Sequence, residues 1–208
     1  MLLATRCPAC STVGPAPCAA CVAAMVPSVA VPLPPGLDAC RALLDYDGPA
    51  RQVVAQLKYR NARSSAAWLA TGVAGLVKAD EIDLVTWAPT TDLRRRSRGF
   101  DHAELLARKV AAELGRPCWS VLTREPGPPQ TGRTLLERRD GPEFAARRTV
   151  KRASVLVVDD VVTTGATLAA AARALRSVGA ARVVGVAAAL YAALPLMRTF
   201  LTMIGECL

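Results

Sequence analysis

Asp159 and Asp160 stand a few positions before Thr163, Thr164, Gly165, Ala166 and Thr167, and no other stretch of the chain concentrates as much chemistry. Hydroxyls and the unpaired backbone N–H groups of a tight turn favour a phosphate. Two adjacent carboxylates repel a bare phosphate, so they call for sugar hydroxyls or a metal ion. A ligand carrying both a phosphate and a ribose, accompanied by Mg²⁺, satisfies both halves of the stretch. The plainer alternative is a threonine-rich helix cap behind a buried strand.

Cys7 and Cys10 form a second concentration with Cys18 and Cys21, two Cys-x2-Cys pairs within the first 21 residues. Four thiolates describe a closed tetrahedral site, the signature of structural Zn²⁺. The same spacing could serve disulfides, which a reducing cytoplasm disfavours. Cys40, Cys118 and Cys207 are isolated and are expected to be small apolar residues or incidental thiols. A third concentration is basic. Arg94, Arg95, Arg96 and Arg98 form one cluster, and Arg124, Arg133, Arg138 and Arg139 are spread along a second segment, in a composition suited to a polyanion. His102 is the only histidine, too little for a triad or a zinc catalyst.

These residues need elements to hold them. Residues 155–158 are an uninterrupted apolar run, expected to be a parallel strand covered on both faces. Leu168, Ala172 and Leu175 then recur at helical spacing towards Gly179, placing the aspartates and threonines at a strand-to-helix turn. Residues 84–88 predict another buried strand, stopped by Pro89, and the first arginine cluster follows it. The carboxyl ends of such strands are where open α/β sheets bind ligands. Ala103, Leu106, Val110 and Leu114 predict an amphipathic helix. Further strands are expected at 42–46, 117–122 and 182–190, and helices from Gly48 and over 62–78, with Trp68 in the core. The roughly thirty residues before Val155 show little pattern and are expected to form a long functional loop.

The chain has 208 residues and is 52% hydrophobic, enough for one well-cored domain with a small appendage. Lys and Arg number 26 against 17 Asp and Glu, a net charge of +9 that suits a phosphorylated sugar or a nucleic acid. Aromatics make up only 4%, which is poor for stacking single-stranded bases. The N-terminus lacks the basic flank and long apolar core of a signal peptide, so a cytoplasmic location is expected. Residues 183–197 are apolar but short and interrupted by Pro195, so no membrane span is expected. The organisation expected is a four-cysteine zinc module at 1–26, a stiff proline-rich linker at 27–39, a main α/β domain at 40–190 and an apolar tail at 191–208. The linker is expected to separate the module from the rest.

The stretch 159–167 resembles the phosphoribosyl pyrophosphate motif of type I phosphoribosyltransferases, and further matches are similar to the ComF branch of that family. They are the four-cysteine module, Asp45, Tyr46, Asp47 and Gly48 leading to Leu57, Lys58 and Tyr59, then residues 94–100, Gln130 and Thr131 through Arg138, and Phe144. The resemblance implies a parallel sheet flanked by helices, with a small zinc-binding module before it. It implies that Asp159 and Asp160 hold ribose hydroxyls, that residues 163–167 cradle the 5-phosphate, and that the loop 89–98 binds pyrophosphate. Residues 124–139 would be the catalytic loop or hood. It further implies phosphoribosyl pyrophosphate and Mg²⁺ as ligands and a role in DNA uptake, with single-stranded DNA and DNA-uptake proteins as partners. The reaction it implies is phosphoribosyl transfer through an oxocarbenium-like centre, for which positioning, charge stabilisation and water exclusion suffice. Its alternative is a single-stranded DNA-binding competence factor with a non-catalytic transferase fold. Where many ComF relatives read Gly-Phe-Asn-Gln, this chain has Gly99, Phe100, Asp101 and His102.

Overall fold

The computed structural model describes residues 5–57, 63–91, 101–125 and 141–191. Its frame is a parallel sheet of β1 (Ala39–Asp45), β2 (Leu84–Trp87), β5 (Ser154–Val162) and β6 (Arg182–Leu190), in the spatial order β1-β6-β5-β2. Alternation along the strands separates two cores. Leu156 and Val158 of β5 and Val184 and Val186 of β6 face one side, whereas Val155, Val157 and Val183 face the other, all within 1% of complete burial. A strand apolar on both faces must be covered on both, and it is.

The first face is covered by α2 (Gly48–Gln56), α3 (Arg63–Ala74) and α4 (His102–Leu114). Leu57, Leu69, Leu106 and Val110 are fully buried there, and each such side chain contributes roughly 1.5–3 kcal/mol over exposure. Asp47 begins α2 by accepting the Gly48 N–H at 2.7 Å. The helix α4 closes on Gly115, at φ +63°, a left-handed conformation that glycine adopts without strain. The second face is covered by α5 (Ala166–Ser177), whose Leu168, Ala171, Ala172 and Leu175 are fully buried.

A short antiparallel ribbon, β3 (Leu122–Arg124) with β4 (Phe144–Ala146), packs on this second side, and Phe144 and Ala146 join its core. The expected strand at 117–122 is therefore corrected. Only Cys118 makes a parallel bridge to Val85, and the chain then turns away, giving Leu122 to the ribbon. Pro117 has no N–H and presents only its carbonyl to Val85, which limits the ladder. Part of the segment expected to lack pattern also proves regular, because β4 is too short to stand out in sequence. The helix expected over 62–78 ends at Ala74, and residues 79–81 form a single 3-10 turn.

The segment 27–38 is not a free spacer. It starts with an antiparallel bridge from Pro27 to Leu44, flanked by Asp45 N–H to Val26 C=O at 2.8 Å and Ser28 N–H to Leu43 C=O at 3.1 Å. It then runs along α5. Pro34 lies against Gly165, Gly36 against Ala172, and Asp38 accepts from both Arg176 and the Val183 N–H. A proline-rich run needs few hydrogen bonds of its own, so it serves as a strap across a helix as readily as it serves as a spacer.

Candidate functional site

The carboxyl ends of β1, β2, β5 and β6 surround one cavity of about 500 Å³. Its floor is Asp159, Asp160 and Val161 at the end of β5, with Thr163 on the turn that follows and Thr167 in the first turn of α5. Ala88, Pro89 and Thr90 line it from the exit of β2, and Asp101, His102 and Ala103 from the start of α4. Tyr46 follows β1 and Tyr191 follows β6, their rings in edge contact with centroids 6.1 Å apart. Arg124 reaches the cavity from β3.

A second concavity of about 20 Å³ lies inside the turn itself, lined by Thr163, Gly165, Ala166 and Thr167 together with Asp159. Gly165 stands immediately before α5 at φ +75°. A side chain there would be strained, and a Cβ would fall 2.6 Å from Pro34 Cγ, so both the conformation and the strap demand glycine. Thr164 Oγ1 accepts a long bond from Ala166 N–H at 3.4 Å, and Thr163 and Thr164 are exposed. The turn thus offers hydroxyls and the first N–H groups of a twelve-residue helix to the cavity, which favours an anion.

Asp159 and Asp160 each accept the next backbone N–H, at 2.8 Å to Asp160 and 2.8 Å to Val161. Burial pushes the Asp159 carboxyl well above the usual carboxylate range, and the neighbouring charges of Asp160 and Asp101 push the same way. A floor of crowded carboxylates is under electrostatic load that a cation or a set of hydroxyl donors relieves. Asp101 is 6% exposed, and burial raises its carboxyl too, opposed by the N–H groups of Thr90, Glu104 and Ala103.

Of the residues singled out in the sequence, Asp159, Asp160, Thr163 and Thr167 line the larger cavity and Gly165 and Ala166 the smaller concavity, whereas Arg94, Arg95, Arg96, Arg98, Arg133 and Arg138 lie outside the described residues. Sequence reasoning missed Asp101 and Tyr191 as lining residues and used Tyr46 only as a matching position. Asp101 carried a usable signal, an aspartate just ahead of an amphipathic helix. Tyr191 carried none, since only the sheet order brings the end of β6 beside the end of β1.

Cys7, Cys10, Cys18 and Cys21 gather at the other concentration, with all four Sγ atoms within 4.8 Å of one another. Cys10 and Cys18 Sγ are 3.6 Å apart, close to the ~3.8 Å edge of a tetrahedron with metal–sulfur bonds of about 2.3 Å. The first pair sits in a turn held by Cys7 N–H to Thr12 C=O at 2.9 Å and by the bridge from Arg6 to Val13. The second opens the short helix α1 (Ala19–Ala23), with Cys18 at its N-cap. Burial pushes the Cys7 thiol up, but N–H groups of Cys18, Cys10 and Ala9 outweigh it and hold the thiol at about 6. Contact with Cys18 and burial push Cys21 up to about 12. Four sulfurs this close cannot all ionise without a cation among them, so the donor set suits a thiophilic metal ion.

Among the described residues no helix is long and apolar enough to cross a membrane. A phosphoribosyl transferase domain model matches residues 89–194. Curated protein sequences provide no match. Among solved structures, similarity extends to the allosteric regulatory enzyme of purine biosynthesis, at 21% identity and TM-score 0.45 over 65% of this chain and 30% of that one. It also extends to a purine phosphoribosyltransferase from Pyrococcus horikoshii, at 17% identity and TM-score 0.41 over 62% and 78% of the two chains. A third is the glutamine phosphoribosylpyrophosphate amidotransferase from B. subtilis, at 22% and 0.44 over 64% and 30%. The chain spans about 30% of the length of the first and third of these.

Proposed function

The chain belongs to the phosphoribosyl transferase domain family, and from that premise we propose that its cavity binds phosphoribosyl pyrophosphate with Mg²⁺ and supports transfer of the phosphoribosyl group. The observation that carries the reading is that two carboxylates and two threonine hydroxyls, Asp159, Asp160, Thr163 and Thr167, line the same cavity. Residues 163–167 hold the 5-phosphate through hydroxyls and helix N–H groups, and Asp159 and Asp160 accept from the ribose hydroxyls. The exit of β2 faces the pyrophosphate end, where Arg94, Arg95, Arg96 and Arg98 follow in sequence, with Arg133 and Arg138 on the other basic segment.

Mg²⁺ bound with the pyrophosphate would neutralise its charge as it leaves, and the crowded carboxylates nearby fit a cation. In the transfer, the C1–O bond breaks with its electron pair going to pyrophosphate. An acceptor nucleophile forms the new bond at C1 and loses its proton to solvent. The protein's share is to hold the ribose so that positive charge at C1 develops away from water. We assign Zn²⁺ to the four thiolates as a structural ion, consistent with a closed four-sulfur set and a reducing cytoplasmic setting. The resemblance of the cysteine module and of residues 94–100 to ComF proteins, together with the net charge of +9, supports a part in DNA uptake with single-stranded DNA as a partner.

Calorimetry with phosphoribosyl pyrophosphate and Mg²⁺ tests the ligand. Wild type is expected to bind, and Asp159→Asn combined with Asp160→Asn to weaken binding at least about tenfold, through loss of charge-assisted hydrogen bonds. No binding by wild type, or equal binding by the double variant, contradicts the assignment. For DNA, oligonucleotide retention should fall with salt and disappear when Arg94, Arg95 and Arg96 are replaced; retention indifferent to both argues against that partner.

A further inference from the structure

Asp101 stands where two elements that wall the cavity meet. Its Oδ2 accepts the Thr90 N–H at 2.8 Å, and its Oδ1 accepts the Ala103 N–H at 3.0 Å and the Glu104 N–H at 3.5 Å. One oxygen caps α4, and the other ties in the segment leaving β2. That segment needs an anchor. Its last sheet hydrogen bond runs from Ala88 N–H to Val158 C=O at 3.1 Å, and Pro89 has no N–H to give. Thr90 carries the next donor, and Asp101 takes it. Thr90, Asp101, His102 and Ala103 all line the cavity.

We propose that Asp101 is a positioning residue that fixes the Thr90 wall against the start of α4, and so sets the affinity for the pyrophosphate end of the ligand more than for the ribose-phosphate end. This rests on the reading that the cavity takes phosphoribosyl pyrophosphate. The chemistry requires a carboxylate. Both oxygens accept, so asparagine, with one acceptor and an NH₂ group, must set a donor against a donor at one of its two partners. Serine caps a helix well but is too short to serve Thr90 as well.

Asp101→Ser and Asp101→Asn separate capping from positioning, with binding measured for phosphoribosyl pyrophosphate plus Mg²⁺ and for ribose 5-phosphate. Asp101→Ser is expected to weaken the first about tenfold and the second less than about twofold, on the scale of losing one charge-assisted hydrogen bond. Hydrogen exchange at the Thr90 amide is expected to quicken in Asp101→Ser with no ligand present, and in Asp101→Asn if its one acceptor oxygen goes to Ala103 instead. Unchanged protection of that amide in Asp101→Ser, or equal loss of affinity for both ligands, overturns the positioning role while leaving the function intact. Wild type that binds neither ligand overturns the functional reading and this inference together.

Discussion

On the proposed reading, Asp159 serves the ligand at a cost to the fold. Its folded carboxyl titrates well above the ordinary 3.8, because of burial first and the nearby Asp160 charge second. A carboxyl with a raised folded pKa binds its proton more tightly folded than unfolded. The stability it contributes is therefore fully present below about pH 3.8 and is lost as pH rises through the folded value. Asp159→Asn keeps the shape and removes the charge. It is expected to raise the Tm at neutral pH while matching wild type near about pH 3, where both side chains are neutral. Melting curves at the two pH values check this, and a variant less stable than wild type at neutral pH contradicts it. That the aspartates lie beside Thr163 and Thr167 was legible in sequence because they are near neighbours along the chain. Asp101 was half legible, since its capping role is local but its bond to Thr90 crosses eleven positions. Tyr191 was not legible, because its neighbour Tyr46 is set by strand order.

Among the elements, the turn from β5 into α5 carries a tight constraint. Gly165 is at φ +75°, and a Cβ there would sit 2.6 Å from Pro34. Gly165→Ala combines left-handed strain with a clash, and a destabilisation of at least about 1–2 kcal/mol is expected. Affinity for ribose 5-phosphate should fall with it, because the turn must shift to admit the methyl. Denaturant unfolding and calorimetry check the two effects, and a neutral substitution would show that the strap yields instead. The sheet strands and main helices were legible from apolar runs and 3.6-residue spacing. The β3–β4 ribbon was not, since three-residue strands carry too few positions to display a period.

Across the molecule, the segment 27–38 binds the cysteine module's end of the chain to the main sheet. It touches α5 at Gly165, Ala172 and Arg176, from its first turn to its last. Sequence composition predicted a stiff extended segment, and stiffness suits a strap, but composition cannot say what such a segment lies on. Asp38 holds its far end, bonding Arg176 and accepting the Val183 N–H at 2.7 Å. Asp38→Ala is expected to cost about 1–2 kcal/mol, mostly from the backbone donor left unmet, because the ion pair is partly solvent-screened. Denaturant unfolding measures it, and a cost near zero would show that the strap is not needed at that end. At the other end, metal analysis of protein purified under reducing conditions is expected to give one zinc per chain, abolished by replacing Cys7 and Cys10. Protein without metal and with its fold intact would remove the zinc assignment.

If the strand ends and the β5–α5 turn grip a phosphorylated ribose, as proposed, hydrogen exchange with and without phosphoribosyl pyrophosphate and Mg²⁺ registers it. Slowed exchange should concentrate at residues 159–168, with a second protected stretch at residues 89–91 and the start of α4. Protection confined to other parts of the chain, or none at saturating ligand, would contradict it.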